Sequence, residues 1–328
     1  SPSRGLGDVY KRQIEAPWNS GRVEEGGNLG YKIQLKEGYF PVSPNDTAQD
    51  MRSEMLLLMG ELGIPIEKHH HEVAGAGQHE LGMKFAPLIN AADNVMIYKY
   101  IVRNVAKKYG KTATFMPKPI EALTGNGCHS HISAWDRDAK TNKFSDETNE
   151  VGLSDLGLNF LGGLMKHATS LAAITNPTVN SYKRINAPKT QSGATWAPNT
   201  ATWSGNNRTH MVRVPAPGRF ELRLPDGAAN PYLLQAVIIA AGVDGIQNKT
   251  NPGKRLDIDM YAEGQRVKSA KKLPLNLLDA LRVFDNNKVL KLSLGEEFSN
   301  AYISLKKDEW NAYASHFSVW EKENTLDI

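Results

Sequence analysis

Apolar residues recur at helical spacing over residues 47–62, which predicts an amphipathic helix with one buried face. Asp46 stands where an N-cap residue belongs, and Gly63 stands where helices commonly end. The apolar stripe consists of Met51, Met55, Leu58, Met59 and Leu62. We therefore predict a helix here that is capped by Asp46.

The same signals predict further helices along the chain. Asn90 as an N-cap and Gly110 beyond the last turn predict a helix over residues 90–108. Another is predicted over residues 154–174, because the following Asn-Pro dipeptide at Pro177 disfavours helical backbone. These helices would supply much of the apolar core.

A helix that starts beside Pro231 contains the strongest apolar run of the chain, residues 233–246. The run includes Gln235 and Asp244 and is shorter than the roughly 20 residues that span a bilayer. It predicts a core helix, and we expect no membrane span. The start of the chain has no basic segment followed by an apolar one, so we expect no secretory signal and a cytoplasmic protein.

A period of two replaces the helical period in the middle of the chain, which predicts strands. These are residues 112–115, 128–135, 210–214 and 219–224. A loop rich in Asn, Pro, Thr, Ser and Gly is predicted over residues 180–207, and loops of this length are usually functional. Strands in the middle with helices around them predict the α+β class.

A hairpin-like stretch at residues 67–82 carries two carboxylates, Glu72 and Glu80, on either side of a turn of small residues. Strand alternation places His70 and Glu72 on one face, and the turn can return Glu80 to the adjacent strand. Neighbouring carboxylates are costly without a cation, which favours a divalent metal. A polar surface hairpin is the alternative.

His129 and His131 are two residues apart and so share a strand face. Two neighbouring imidazoles suit a metal ion or a phosphate, whereas the alternative is a hydrogen-bonded histidine of the core. In the next strand, Arg219, Glu221 and Arg223 share a face. This face is either a charged working surface or a simple ladder of ion pairs.

Arginines cluster in the neighbouring loops, at Arg184, Arg208 and Arg213. The planar guanidinium binds carboxylate and phosphate through paired hydrogen bonds, although any one of these could be a solvated surface residue. Carboxylates and histidine for hard cations, together with arginines for anions, are the parts of a phosphoryl-transfer site.

Composition restricts the class of protein only broadly. The 328 residues suffice for one large domain or two smaller ones, and the net charge of +4 is too small to indicate nucleic acid. The single cysteine, Cys128, excludes an internal disulfide. Residues 1–13 resemble a translated cloning or sequencing adaptor, so we expect the natural sequence to begin near Ile14.

Several motifs occur together in an order that resembles the catalytic domain of type I glutamine synthetase. They are Gly38-Tyr39-Phe40-Pro41-Val42, then Asp46, Asp50 and Arg52, then His69-His70-His71-Glu72-Val73-Ala74, then residues 125–131 and 176–184, then Arg223-Leu224-Pro225-Asp226 and residues 228–232. The likeness covers nearly all of residues 14–328. It implies an antiparallel sheet that forms the active-site face and is covered by helices.

This resemblance implies ATP-dependent ligation of ammonia to the γ-carboxylate of L-glutamate through a γ-glutamyl phosphate. The cofactor would be Mg²⁺ or Mn²⁺, at two or more ions per site. The implied metal ligands are Glu72 and Glu80 for the first ion and His129 and Glu221 for the second. Gly125, Arg184, Arg208 and Arg223 would bind substrate, Arg208 and Arg213 would be catalytic, and Glu67, His131, Ser133, Arg208 and Arg213 would bind the nucleotide.

The chain also departs from the family pattern. In the family, a Glu-x-Glu strand and a small N-terminal β-grasp domain precede the segment that begins near Ile14. We expect both to be missing from the chain as given, and we therefore expect this chain to be inactive or weakly active. The family's Gly-Tyr-Glu flap is replaced by Ala187-Pro188-Lys189-Thr190-Gln191-Ser192, Thr124 replaces an asparagine, and a phosphate-side lysine between Pro215 and Arg219 has no counterpart.

These departures keep other functions open. A related ligase could join glutamate to another amine, and a homologue without catalysis could act in assembly. A metal-binding β-barrel oxygenase is suggested by the His129-x-His131 pair, although the helices disfavour a small barrel. The complete family member is expected to form a dodecamer. Tyr261 stands where some members are adenylylated, but an ordinary surface tyrosine is the favoured interpretation.

Overall fold

The structure is a computed structural model that describes residues 33, 38–74, 77–121, 123–187 and 196–326. The chain divides into two compact units. The first unit comprises Ser1–Cys128 and Ala187–Ala197, and the second comprises His129–Asn186 and Pro198–Ile328. The predicted adaptor segment, residues 1–13, lies outside the described residues. That residues 14–328 form one catalytic domain stays a prediction.

The first unit contains helix α1 (Gln49–Glu61), strands β1 (Ile66–His71) and β2 (His79–Met83), and helix α2 (Leu88–Lys108). Helix α1 packs against α2 and β1. Most of the predicted apolar stripe is the contact face, because Met51, Met55 and Met59 are buried together with Ile101 and Val105 of α2, whereas Leu62 is exposed. The amphipathic helix is therefore confirmed.

Three local predictions in this unit are wrong. Asp46 does not cap α1, whose first flanking residue is Ala48 with no side-chain cap. Instead the Asp46 carboxylate is buried in an ion pair with Arg52. Helix α2 begins after Pro87, so Asn90 lies inside its first turn rather than at its cap. Residues 112–115, all of them described, form no strand.

The second unit supplies the remaining elements. They are β3 (Ser130–Ile132), α3 (Asp155–Thr175), α4 (Ser181–Ile185), β4 (Thr200–Ala201), β5 (Trp203–Ser204), β6 (Val212–Ala216), β7 (Arg219–Leu222), α5 (Pro231–Gln247), α6 (Met260–Glu263), a 3₁₀ turn (Gly264–Arg266), β8 (Lys271–Lys272), α7 (Leu277–Asp285), α8 (Lys288–Leu294), α9 (Glu296–Ala314) and α10 (Val319–Thr325).

Helices α3, α5 and α7 form the centre of this unit, and α3 packs closely on α5. Glycine permits the close approach, since a Cβ on Gly163 would lie 2.0 Å from the carbonyl oxygen of Ala241. The predicted start and end of α3 are confirmed, with Ser154 accepting a hydrogen bond from the backbone of Gly157 at 3.2 Å. No helix in the described part of the chain is long and apolar enough to cross a membrane.

A four-stranded sheet in the order β3-β7-β6-β5 carries the charged residues of the second unit. Strands β3, β7 and β6 are antiparallel, as expected, whereas β5 pairs with β6 in parallel. The predicted strand over residues 128–135 shortens to β3, and the predicted loop over residues 180–207 is interrupted by α4, β4 and β5. The α+β class is confirmed.

Candidate active site

The β1-β2 hairpin of the first unit brings three metal-ligand side chains together. His70 is the direct cross-strand partner of Glu80. One ligand atom each from His70, Glu72 and Glu80 lies within 4.8 Å of the others. The sequence prediction that these residues share a face is therefore confirmed, and the spacing suits a single divalent cation with oxygen and imidazole ligands.

The His70 ring is held in an orientation that favours metal binding. Its Nδ1 lies 3.0 Å from the backbone carbonyl of His71, so Nδ1–H is the donor, and in the neutral ring Nε2 carries the lone pair. Nε2 lies 3.7 Å from the Glu80 carboxylate. Phe40 stacks on the ring at a centroid distance of 4.1 Å, and Tyr39 meets it edge-on. These contacts fix the orientation of the His70 ring. Histidines that bind metals are usually oriented in the same way, by a hydrogen bond from the other ring nitrogen.

Arg52 supports the opposite face of the hairpin. Its side chain is buried, its Nε lies 3.2 Å from His69 Nδ1, and its Nη1 lies 3.1 Å from His79 Nδ1. Both imidazoles accept from the guanidinium and are therefore neutral. Burial lowers the pKa of His69 and lowers that of His79 well below its usual value, and the charge of Arg52 adds to both effects.

Glu67 and Gly125 are the other two predicted site residues of the first unit. Glu67 is exposed at an irregularity of the β1-β2 pairing. The carbonyl oxygen of Gly125 accepts a hydrogen bond from Gln78 at 3.2 Å. Thr124 beside it is buried, and among the described residues no hydrogen-bond partner meets its hydroxyl.

Glu221 is the centre of a charged cluster in the second unit. Its Oε1 accepts from Arg223 Nη1 at 2.8 Å and from His129 Nδ1 at 3.2 Å, and its Oε2 accepts from Arg213 Nη1 at 2.9 Å. Arg213 also donates to Asn206. The side chains of Glu221 and Arg223 are each only 4% exposed. The ion-pair interpretation of this strand is therefore confirmed for Glu221 and Arg223, whereas a role as a working surface stays a prediction.

The environment fixes the charges of this cluster. Burial favours the neutral form of Glu221, but His129 and the two arginines hold the pKa of its carboxyl well below the usual range. Desolvation and the charge of Arg223 lower the pKa of His129, although 31% of its side chain is exposed and its hydrogen bond with Glu221 opposes the shift. At neutral pH a carboxylate thus lies between two guanidiniums and a neutral imidazole.

Arg184 lies in the interior, so the alternative of a solvated surface residue is wrong for this arginine. It is 2% exposed, its Nη1 donates to the carbonyl of Leu224 at 2.8 Å, and its Nη2 donates to that of Arg223 at 3.0 Å. Burial raises the pKa of Asp226, whose carboxylate accepts from Asn176 Nδ2 at 2.9 Å. These groups fix the backbone that carries Arg223.

The other predicted residues of the second unit are more accessible. Arg208 is exposed in a turn before β6. His131 is exposed on β3 and is the cross-strand partner of Glu221. Ser133 follows β3, and its hydroxyl accepts from the indole of Trp135 at 3.0 Å. The roles of these side chains in nucleotide binding remain predictions.

Comparison with known proteins shows which family the chain belongs to. Residues 9–325 match the family model for the catalytic domain of glutamine synthetase. The chain belongs to the glutamine synthetase family. It is 61% identical over 279 residues to a glutamine synthetase of Rhizobium leguminosarum bv. phaseoli, covering 85% of this chain and 64% of the relative. It is 58% identical over 327 residues to one of Rhizobium meliloti (strain 1021), covering 93% and 74%.

A solved structure named GmaS/ADP complex-Conformation 1 is 48% identical, with a TM-score of 0.85 over 92% of this chain and 69% of that chain. The chain thus spans about two thirds of the length of these glutamine synthetase relatives. The altered flap, residues 187–192, lies outside the described residues except for Ala187.

Two supporting residues of this glutamine synthetase domain were missed from sequence. Gln78 stands between the two predicted metal ligands and contacts Gly125 and Asn126. Arg52 belongs to one of the family motifs, and its supporting role was not predicted. It contacts His69, Asp46 and His79 of the first unit. For Gln78, its position inside the hairpin was the one available signal.

Proposed function

We propose that the full-length protein ligates an amine to the γ-carboxylate of glutamate at the expense of ATP. The γ-phosphoryl group of ATP passes to a γ-carboxylate oxygen and ADP leaves. Ammonia then attacks the acyl carbon, and phosphate leaves as the amide bond forms. The observation that supports this most directly is the His70, Glu72 and Glu80 cluster in a chain of the glutamine synthetase family.

The cation at this cluster would be Mg²⁺ or Mn²⁺. Two carboxylates and one imidazole whose Nδ1 is held by a backbone carbonyl suit such an ion, and the cluster has the compactness that one ion needs. A bound divalent ion would offset the negative charge of the ATP phosphates. His129 and Glu221 are proposed as ligands of a second ion, which would replace the contact of 3.2 Å between His129 Nδ1 and Glu221 Oε1.

The arginines are proposed to bind anionic groups of the substrates. Arg208 and Arg213 would contact the nucleotide phosphates and the transferring group, because guanidinium stabilises charge on a phosphoryl group without changing protonation. Arg184 and Arg223 would act on the carboxylates of glutamate. The buried Arg184 would act indirectly, because its hydrogen bonds to the carbonyls of Arg223 and Leu224 hold the backbone of Arg223 in place. Direct contact with glutamate would require these hydrogen bonds to break.

Glu67, His131 and Ser133 are proposed to line the nucleotide pocket, and Gly125 is proposed to bind glutamate through its backbone. The neighbouring structure named as an ADP complex supports nucleotide binding in this fold. We further propose that the protein works as a cytoplasmic homo-oligomer, a dodecamer in its complete form.

A second candidate is a ligase that uses another amine in place of ammonia. No carboxylate occurs between Asn186 and Asn199, where the family flap carries the glutamate that helps receive ammonium. Loss of that negative charge would weaken the preference for a small cation, which favours a neutral or larger amine.

Phosphate release by the full-length protein with ATP and Mg²⁺ tests both candidates. We expect release that requires glutamate and an amine, with the product identified by mass spectrometry. Ammonia as the better substrate supports glutamine synthesis, and a larger amine as the better substrate supports the second candidate. Phosphate release that is independent of glutamate would contradict both.

A further inference from the structure

Gln78 joins the hairpin to the loop that contains Gly125. Its side-chain Oε1 accepts from the backbone N–H of Ala74 at 3.1 Å. Its Nε2 donates to the Gly125 carbonyl at 3.2 Å and to the Asn126 side-chain oxygen at 3.0 Å. Its own backbone carbonyl accepts from Glu72 N–H at 2.7 Å. One residue therefore contacts both the metal-ligand strand and the predicted substrate loop.

The peptide unit between Gly125 and Asn126 is fixed at both ends by these contacts. Gln78 holds its carbonyl oxygen, while the Asn126 N–H donates to the Pro117 carbonyl at 2.7 Å. The Asn126 side chain adds a bond to the Met116 carbonyl at 2.9 Å. Rotation of this peptide plane would break hydrogen bonds on both sides, so the direction of the Gly125 carbonyl is set in advance of any ligand.

We propose that Gln78 is a positioning residue that aims the Gly125 carbonyl at the α-ammonium group of the amino-acid substrate. A carbonyl oxygen has two lone pairs, so an oxygen that accepts from Gln78 can also accept from an ammonium. Donation from Gln78 holds the direction of the second lone pair. This inference depends on the proposed function, because it takes glutamate as the ligand of Gly125.

The chemistry of the contacts explains why an amide stands at this position. One end must accept from Ala74, and the other must donate to two oxygens. Glutamine meets both requirements, whereas glutamate would bring a negative oxygen towards the oxygens of Gly125 and Asn126. Methionine has similar length but makes neither strong hydrogen bond.

The test compares Gln78→Glu and Gln78→Met with wild type in the full-length protein. Without the hydrogen bond from Gln78, the Gly125 carbonyl is no longer held in one direction as an acceptor for glutamate. The KM for glutamate should therefore rise about tenfold in Gln78→Met, and more in Gln78→Glu. The KM for ATP and the Mn²⁺ affinity should stay within about twofold, because neither predicted metal ligand is changed. Gln247→Met, at an exposed residue at the end of α5, is the matched control and should change none of these values.

Isothermal titration of glutamate into the Mn²⁺-loaded protein, without ATP, measures the same effect independently of turnover. Weaker glutamate binding in the Gln78 variants with unchanged Mn²⁺ affinity supports the proposal. A glutamate affinity within twofold of wild type, or an equal loss for glutamate and Mn²⁺, overturns it. A wild-type protein that binds glutamate but releases no phosphate would instead contradict the proposed function. If Gln78→Glu does not fold, the uncharged Gln78→Met variant decides the question.

Discussion

Replacing Glu221 with glutamine should destabilise the second unit far more than the loss of one surface ion pair. The substitution keeps the size of the side chain, so it removes charge without creating a cavity. Glu221 accepts from Arg223, Arg213 and His129 at 2.8, 2.9 and 3.2 Å. Arg223 is only 4% exposed at its side chain and would lose its neighbouring carboxylate.

Removing one partner of a buried ion pair typically costs about 3–5 kcal/mol. We expect a value near the lower end, about 3 kcal/mol, because glutamine can still accept one hydrogen bond and Arg213 keeps its bonds to Asn206. The stabilisation from Glu221 should persist above pH 4.5, the usual value for its carboxyl, and decline as the pH falls further. The direction follows because the pKa of the folded carboxyl is lowered.

Urea unfolding of Glu221→Gln and wild type, followed by circular dichroism, measures the difference in unfolding free energy. The matched control is Glu263→Gln, which removes the partner of Arg266 in a pair whose side chains are 44% and 83% exposed. That change should cost less than about 1 kcal/mol. An equally small effect for Glu221→Gln would refute the assignment of the cluster as a buried network.

Three further predictions concern packing and pH. Lowering the pH from 7.5 to 5.5 should reduce hydrogen-exchange protection of the β1-β2 hairpin, since burial lowers the pKa of folded His79 and protonation then favours the unfolded state; unchanged protection would contradict this. Gly163→Ala should lower the unfolding free energy by about 1–3 kcal/mol through overpacking, whereas Gly205→Ala, where a Cβ would meet nothing within 4 Å, should not. Arg52→Lys should lower the thermal midpoint, because lysine lacks the planar fork that reaches Asp46 and two imidazoles; an unchanged midpoint would show that the fork is dispensable.

Local periodicity was sufficient to predict the longer helices and the proximity of the three hairpin side chains. The α1 stripe and the His70 and Glu72 face depend on backbone geometry within a few residues, which sequence spacing records. The cap predicted at Asp46 failed because α1 begins at Gln49, with Ala48 as its flanking residue. The Asp46 carboxylate pairs instead with Arg52 of the same helix, six positions away and buried with it.

Long-range contacts were the part that the sequence could not supply. The sequence around Arg184 is typical of a polar loop, yet its guanidinium donates to the backbone carbonyl of Leu224, 40 positions away in the chain. Gln78 likewise meets Gly125 at a separation of 47 positions. No local pattern distinguishes such a buried hydrogen-bonding residue from a solvated one, so their supporting roles emerge only from the folded chain.

The central claim is that the His70, Glu72 and Glu80 cluster binds the cation for phosphoryl transfer to glutamate. The most direct test is to trap the acyl phosphate with hydroxylamine, using full-length protein, ATP, glutamate and Mg²⁺. We predict γ-glutamyl hydroxamate from wild type and from the control Glu61→Gln, and at least a 100-fold loss (about 2.7 kcal/mol) in Glu72→Gln. Equal hydroxamate formation by wild type and Glu72→Gln, or none by wild type, would contradict the claim.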